Sequence, residues 1–253
     1  MRAVDLPQGL IYKRKMAFTL TPRRTFRGRL KSAYEELRIP LDVQEDSHFN
    51  LEISAKHSWP LISLETSAGL TVRSEAVYNK GFAETGFFDA DQHLTEDSLL
   101  AKVSMQSGHK GSFKLKLNNL GNLDNIQENV IRLTNKYRRK EGLRKLKADT
   151  QLSKAAQGHA DDMDDVGRYL GHTSSDGKDF QARIDEAGYD WRSIRENVAS
   201  GQQSAKAVVQ GWMESPGHRA NILSDDITEI GVGFAVDDSS GTTYWVQKFG
   251  APV

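Results

Sequence analysis

The chain reads as two folded parts, an N-terminal all-β sandwich over residues 1–120 and an α/β domain over residues 121–253. Three observations predict this. From about residue 17 to 117 apolar residues recur with period two, the mark of half-buried strands. After residue 125 the period lengthens to 3.6, the mark of amphipathic helices. Strand alternation returns only near the C-terminus, as expected of a layered domain whose sheet is covered by helices. A length of 253 residues suits two domains, and either half could bury its own core.

In the first part the alternation is clearest at Leu37, Ile39, Leu41 and Val43, and again at Phe49, Leu51, Ile53 and Ala55. "AFTL" (17–20), "TFRGRL" (25–30) and "LTVRSEAV" (70–77) are further strands. Leu99, Ala101, Val103 and Met105 face Phe113, Leu115 and Leu117 across the turn residues of "QSGHKG". Together these predict an antiparallel sandwich. Its final hairpin resembles the small sandwich modules that accompany secreted bacterial proteases, without a motif that names a family. "NNLGNLDN" (118–125) reads as a linker.

In the second part Asp124 or Asn125 can cap a helix with Ile126, Val130, Leu133 and Tyr137 on one face, ending at Gly142. Thr150 can cap a second, whose stripe is Leu152, Ala155, Ala156, His159, Ala160 and Met163. A third lies near 178–187 and stops at Gly188; a fourth, near 204–214, presents Val208, Val209 and Trp212. In "SPGHRANIL" (215–223), Ser215 as N-cap and Pro216 at the first helical position open a short helix with His218 in its first turn. The partial positive charge of a helix start keeps such an imidazole neutral, free to bind a metal or accept a proton. In the final hairpin Ile230, Val232, Phe234 and Val236 alternate with Gly231, Gly233 and Ala235, so one face of that strand is nearly bare and invites a close neighbour.

Charge narrows the field of functions. Thirty-four basic residues balance thirty-four acidic ones, so the global field gives no reason to expect specific nucleic-acid binding. The chain has no cysteine, which excludes disulfides, zinc–thiolate sites and thiol catalysis. No apolar run is long enough for a transmembrane segment, and "LIY" followed by "KRK" is not a signal-peptide core. Export would then need a signal removed from this sequence, or another route.

Four polar residues stand beside turns or element ends: His172 in "GHTSSDG", Glu196 in "RENVASG", His218 in "SPGHRANIL" and Glu229 in "TEIGVG". Glu229 shares the parity of Gly231 and Gly233 and so points to the bare face. Brought together, two imidazoles and two carboxylates could hold a divalent cation or form a general-base pair. The alternative is that each satisfies a nearby backbone group.

Residues 126–250 resemble the CAP superfamily (cysteine-rich secretory proteins, antigen 5, pathogenesis-related 1) in its cysteine-free bacterial SCP-like branch. The likeness rests on "LSKAAQGHADDM", "GHTSSDG", "ENVASG", "AVVQGWMESPGHRANIL", "TEIGVGFA" and "YWVQKFG", in the family's order and spacing. It implies an α–β–α sandwich with a central cavity lined by two histidines and two glutamates, which fall on His172, Glu196, His218 and Glu229. It also implies a divalent cation, zinc foremost, with His172 and His218 as metal ligands, and a secreted or cell-envelope location. Family members bind lipids, sterols or glycans. Two departures stand out: Arg195 before Glu196, and Leu170-Gly171 before His172. Arg195 could pair with Glu196, lower its pKa and compete with a metal.

Other polar and aromatic residues read as structural. His159 on its apolar stripe is a core histidine, Asn197 orients its loop, Ser174 and Ser175 form an ordinary turn, and Trp212, Tyr244 and Trp245 fill core. The cation-rich Lys13–Lys31, with Phe18 and Phe26 interleaved, either docks an anionic polymer such as teichoic acid, nucleic acid or acidic glycan, or protects a strand edge. The functional expectation is a cleft for a metal or small ligand, with the β-domain targeting or scaffolding it. The alternatives are a metal-dependent hydrolase with Glu196 or Glu229 as catalytic general base, and a non-catalytic surface- or polymer-binding module.

Overall fold

The computed structural model describes residues 12–15, 19–22, 24–31, 35–43, 47–55, 60–66, 71–76, 82–84, 88–89, 99–105, 111–169, 171–237 and 239–253. The chain divides into two compact units, Met1–Asn119 and Leu120–Val253. Phe18, Leu170 and the "QSGHK" connection lie outside the described residues, as does part of "AFTL".

The N-terminal unit is β-rich. Its strands are β1 (Tyr12–Lys15), β2 (Thr25–Leu30), β3 (Glu35–Pro40), β4 (His48–Ser54), β5 (Pro60–Thr66), β6 (Thr71–Ala76), β7 (Phe82–Glu84), β8 (Phe88–Asp89), β9 (Leu99–Met105) and β10 (Gly111–Gly121). One sheet runs β1-β3-β9-β5-β6 and the other β2-β10-β4-β7, with β8 on β4. Alternation places one face of each on a common core: Leu37, Ile39, Leu64, Ala101 and Val103 from the first meet Leu30, Leu51, Ile53, Phe113 and Leu115 from the second. Each large apolar side chain among them contributes roughly 1.5–3 kcal/mol when fully buried. Two pairings among the described residues depart from the antiparallel expectation: β1 runs parallel to β3, and Leu20 bridges Leu41 in parallel.

The C-terminal unit contains α1 (Leu123–Lys140), β11 (Lys147–Ala148), α2 (Thr150–Asp165), α3 (Phe180–Glu186), β12 (Trp191–Ser200), α4 (Ala205–Glu214), α5 (Pro216–Ile222), β13 (Glu229–Asp237) and β14 (Thr242–Pro252). Its sheet runs β11-β13-β14-β12. Helices lie on both faces. Gly231 and Gly233 let α2 close on β13 so tightly that a Cβ on Gly231 would stand 2.1 Å from the Leu152 carbonyl carbon, and one on Gly233 2.3 Å from the Ala156 oxygen. The bare face of the strand is therefore filled by a helix backbone. On the opposite face Gln247 donates to Thr134 of α1.

Several local expectations are corrected. No loop links the units at "NNLGNLDN": β10 continues to Gly121, and Asn122 caps α1 by accepting from the Asn125 N–H, ahead of the expected caps. Asp149, a better acceptor than Thr150, caps α2. Ser215 occupies the N-cap position of α5, but its side chain makes no capping bond; Pro216 at the helix start and the backbone bond from Arg219 to the Ser215 carbonyl set the turn. Strands do not return only at the end, because β12 lies between α3 and α4. It is an edge strand whose outer residues stay half exposed, so its alternation is blurred.

Candidate functional site

Of the four polar residues singled out above, Glu196 is the one at the centre of a buried ion cluster. It sits in the middle of β12, paired in register with Lys248 of β14, so both side chains leave the sheet on the α2 face. Lys248 is fully buried and its ammonium bonds to the Glu196 carboxylate. From α3, the Arg183 guanidinium reaches the same carboxylate at 2.9 and 3.2 Å. From the loop after α2, the His172 Nδ1 lies 2.8 Å from Glu196 Oε1. An ionised carboxylate only accepts, so this nitrogen carries a proton and donates it.

Burial pushes the Glu196 carboxyl up, but the His172 hydrogen bond and the charges of Lys248 and Arg183 outweigh it and hold the group at about 2. Burial pulls the Lys248 ammonium down, against the attraction of Glu196. The cluster is thus two cations on one carboxylate. Arg183 extends it by donating to Ser174 Oγ at 2.8 Å, the Lys178 carbonyl at 2.9 Å and the His172 carbonyl at 3.1 Å, which binds the 172–178 loop to the sheet. Phe180 stands edge-on to the His172 ring at 6.5 Å and under the Lys248 ammonium at 5.9 Å.

His218 is half-buried in the first turn of α5. Burial and the charge of His172 both lower its pKa, so it is neutral at pH 7 and lies within electrostatic reach of His172. A ladder of amides holds that turn. Asn197 donates to the His218 carbonyl at 3.2 Å and to Gln247 Oε1 at 3.2 Å, and Asn221 donates to the Glu196 carbonyl and to Asn197 Oδ1, both at 2.9 Å. Asn197 has the orienting role expected of it.

Glu229 is engaged elsewhere. It lies at the start of β13, opposite Gly250, with β14 between it and β12, so it stands about 9.5 Å across the sheet from the Ile194 position. The Tyr189 hydroxyl donates to its Oε2 at 2.6 Å. The structure thus joins His172 to Glu196, sets His218 near His172, and gives Glu229 a separate partner.

Arg195 does not pair with Glu196, because neighbouring strand residues face opposite sides of the sheet. It binds Asp226 at 2.8 Å instead. The expected competition for Glu196 exists, but Arg183 and Lys248 supply it. These two were missed by sequence reasoning. A divalent cation at Glu196 would face both of them, so the residues present do not fit a zinc ion there, and no described group of three or more His, Asp or Glu side chains is arranged to hold a metal. No catalytic step is derived through a metal.

His159 is fully buried, with Nε2 donating to the Gly171 carbonyl at 2.8 Å. Its Nδ1 has no hydrogen bond among the described residues, and burial lowers its pKa. Ser174 accepts from Arg183 and Ser175 donates to Asp162, so neither is a free nucleophile. Trp212, Tyr244 and Trp245 are buried core. A hollow of about 420 Å³ lies between α2, the 174–178 turn and α3; of its ionic groups Lys178 is paired with Asp176 and Glu186 and Asp162 accepts from Ser175, while Lys154 makes no ion pair among the described residues.

No described helix is long and apolar enough to cross a membrane. Residues 131–249 match the model of the cysteine-rich secretory protein family, CAP. Two Bacillus subtilis proteins are similar over 123 residues, or 49% of this chain: the uncharacterized protein YkwD, 37% identical over 46% of its length, and the uncharacterized membrane protein YlbC, 36% identical over 34%. The chain therefore spans less than half the length of the curated relatives it matches. Looser likenesses exist to solved structures. An extracellular SCP-domain protein of Bacillus anthracis is 24% identical with a TM-score of 0.45, covering 66% of this chain and 55% of that one. An outer surface protein of Borrelia burgdorferi is 25% identical with a TM-score of 0.46, covering 50% and 92%. Over residues 131–249 the chain is thus similar to the cysteine-rich secretory protein family, CAP.

Proposed function

We propose that the C-terminal unit is a non-catalytic binding domain that takes a small anionic ligand at the edge shared by His172 and His218, and that the N-terminal unit scaffolds or targets it outside the cytoplasm. The extracytoplasmic part comes from the family resemblance alone. The observation that carries the ligand reading is the saturation of Glu196. Its carboxylate is filled by two buried cations and by His172 Nδ1, which leaves an excess positive charge beneath the His172 imidazole edge, that side chain being 55% exposed. Low dielectric around the buried cations lets that charge be felt at the surface. A carboxylate held at about 2 is a poor general base near neutral pH, which disfavours the hydrolase reading at Glu196. Glu229 is no better placed, being hydrogen-bonded to Tyr189.

The test is an NMR titration of the imidazole resonances with acetate and with inorganic phosphate, at pH 7. Saturable shifts at His172 and His218, lost in Lys248→Met, are expected. Stoichiometric zinc retained after dialysis and lost in His172→Gln or His218→Gln would overturn the reading and restore the metal site.

A further inference from the structure

The outer face of β2 and β10 carries cations that make no ion pair among the described residues. Along these strands Phe26, Leu30, Phe113 and Leu115 point to the core. The positions that alternate with them, Thr25, Arg27, Arg29, Ser112, Lys114 and Lys116, are all exposed. The register sets Arg27 directly opposite Lys114. Arg24, also exposed, leads into β2. Lys116 is matched, at 3.0 Å from Glu52, but Arg24, Arg27, Arg29 and Lys114 make no ion pair among the described residues.

Edge protection accounts for charge on β2, which ends its sheet. It does not account for Lys114, because β10 has β4 on its other side. Like charges set opposite each other on paired strands are destabilising. An anion lying along the two strands would turn that repulsion into attraction.

The geometry selects among polyanions. Arg27 and Arg29 recur at about 6.8 Å along the strand and Lys114 stands about 4.8 Å across from Arg27, so the face suits a chain with one charge per short repeat. Guanidinium forks favour the paired oxygens of a phosphodiester. No aromatic ring stands among the outward positions. Phe26 and Phe113 are turned inward, 6.0 Å apart, and their rings cover Gly28, so bases would find no stacking platform. We infer that this face docks a linear phosphodiester polymer without bases, of the poly(glycerol phosphate) type. The inference gives a partner to the targeting role proposed for this unit and rests on it; it is independent of the His172 edge.

The probe is a fluorescent poly(glycerol phosphate) oligomer, titrated with the full chain by anisotropy between about 20 and 200 mM salt. Four contacts predict that log K falls against log salt with a slope of about −3, at roughly −0.7 per phosphate neutralised. Arg27→Thr with Lys114→Thr is expected to halve that slope and weaken binding at least tenfold, while the His172 titration with phosphate stays intact. Lys136→Thr with Arg139→Thr, on the exposed side of α1, is expected to change neither. Three results would overturn the inference: no salt-dependent binding, unchanged binding in the β2–β10 variant, or tighter binding to oligothymidylate of equal charge. Binding lost only in the α1 variant would overturn the targeting role as well.

Discussion

Replacing Glu196 with glutamine tests the cluster at its centre. The substitution keeps shape and an acceptor for His172, yet leaves Arg183 and Lys248 buried with no counter-charge. Breaking a buried pair in this way costs about 3–5 kcal/mol. The pKa gives an independent figure: a carboxyl lowered from 4.5 to about 2 on folding contributes about 3 kcal/mol, since each pH unit is worth about 1.4. The sign follows from the depression. The contribution is complete above pH 4.5 and is lost as pH falls from 4.5 towards 2. Lys248→Met is the matched control: it leaves Arg183 Nη2 shared between both Glu196 oxygens, makes the cluster neutral, and is expected to cost less than about 1 kcal/mol. Urea unfolding followed by tryptophan fluorescence reports mainly on the right unit, because Trp191, Trp212 and Trp245 lie in it and only Trp59 lies in the other. Wild type is expected to exceed Glu196→Gln by about 3 kcal/mol at pH 7 and by a few tenths near pH 2. Equal losses in the two variants, or a gap that stays flat from about pH 6 to pH 2.5, would show that packing rather than charge holds the cluster.

Two further predictions separate fold from site. Gly233→Ala places a Cβ 2.3 Å from the Ala156 oxygen of α2, so it is expected to cost about 3 kcal/mol or more, whereas Gly158→Ala, exposed on α2 with nothing within 4 Å, is expected to stabilise by about 1 kcal/mol; urea midpoints decide both. Arg195→Ala removes an ion pair whose partners are 35% and 44% exposed, so the loss is expected to stay below about 1 kcal/mol, to shrink with salt, and to leave the acid limb of Glu196 in place.

The fold is legible in the sequence where one face of an element meets the core and the other meets water. β9 alternates buried and half-exposed residues without a break, and α2 buries the stripe read from its sequence, His159 included. Legibility fails where both faces or neither are buried. β5 is interrupted by buried Ser63 and Glu65, the latter neutralised by Arg38 and Lys102, so its run of "PLISLET" shows no clean period. β12 at its sheet edge shows almost none. Helix starts differ from those read in the sequence by one to three residues, because several neighbouring Asn, Asp and Thr side chains could each serve as caps and only backbone geometry chooses among them.

At the site, the motifs locate His172, Glu196 and His218 but not what holds them. Arg183 lies in "FQARIDEAG" on α3, a helix of seven residues, too few turns for a buried face to repeat and declare itself. With Asp185 and Glu186 just after it, nothing local marks its guanidinium as internal. Lys248 does leave a signal. A strand flanked on both sides in its sheet, with helices over both faces, has no side open to water, so consecutive polar residues within it must each meet a buried partner on opposite faces. "YWVQKFG" contains such a pair. Gln247 meets Thr134 and Asn197 on one face, and Lys248 meets Glu196 on the other. The parity that turns Arg195 away from the cluster also turns Lys248 into it, so strand register, more than adjacency in sequence, decides which cation reaches Glu196.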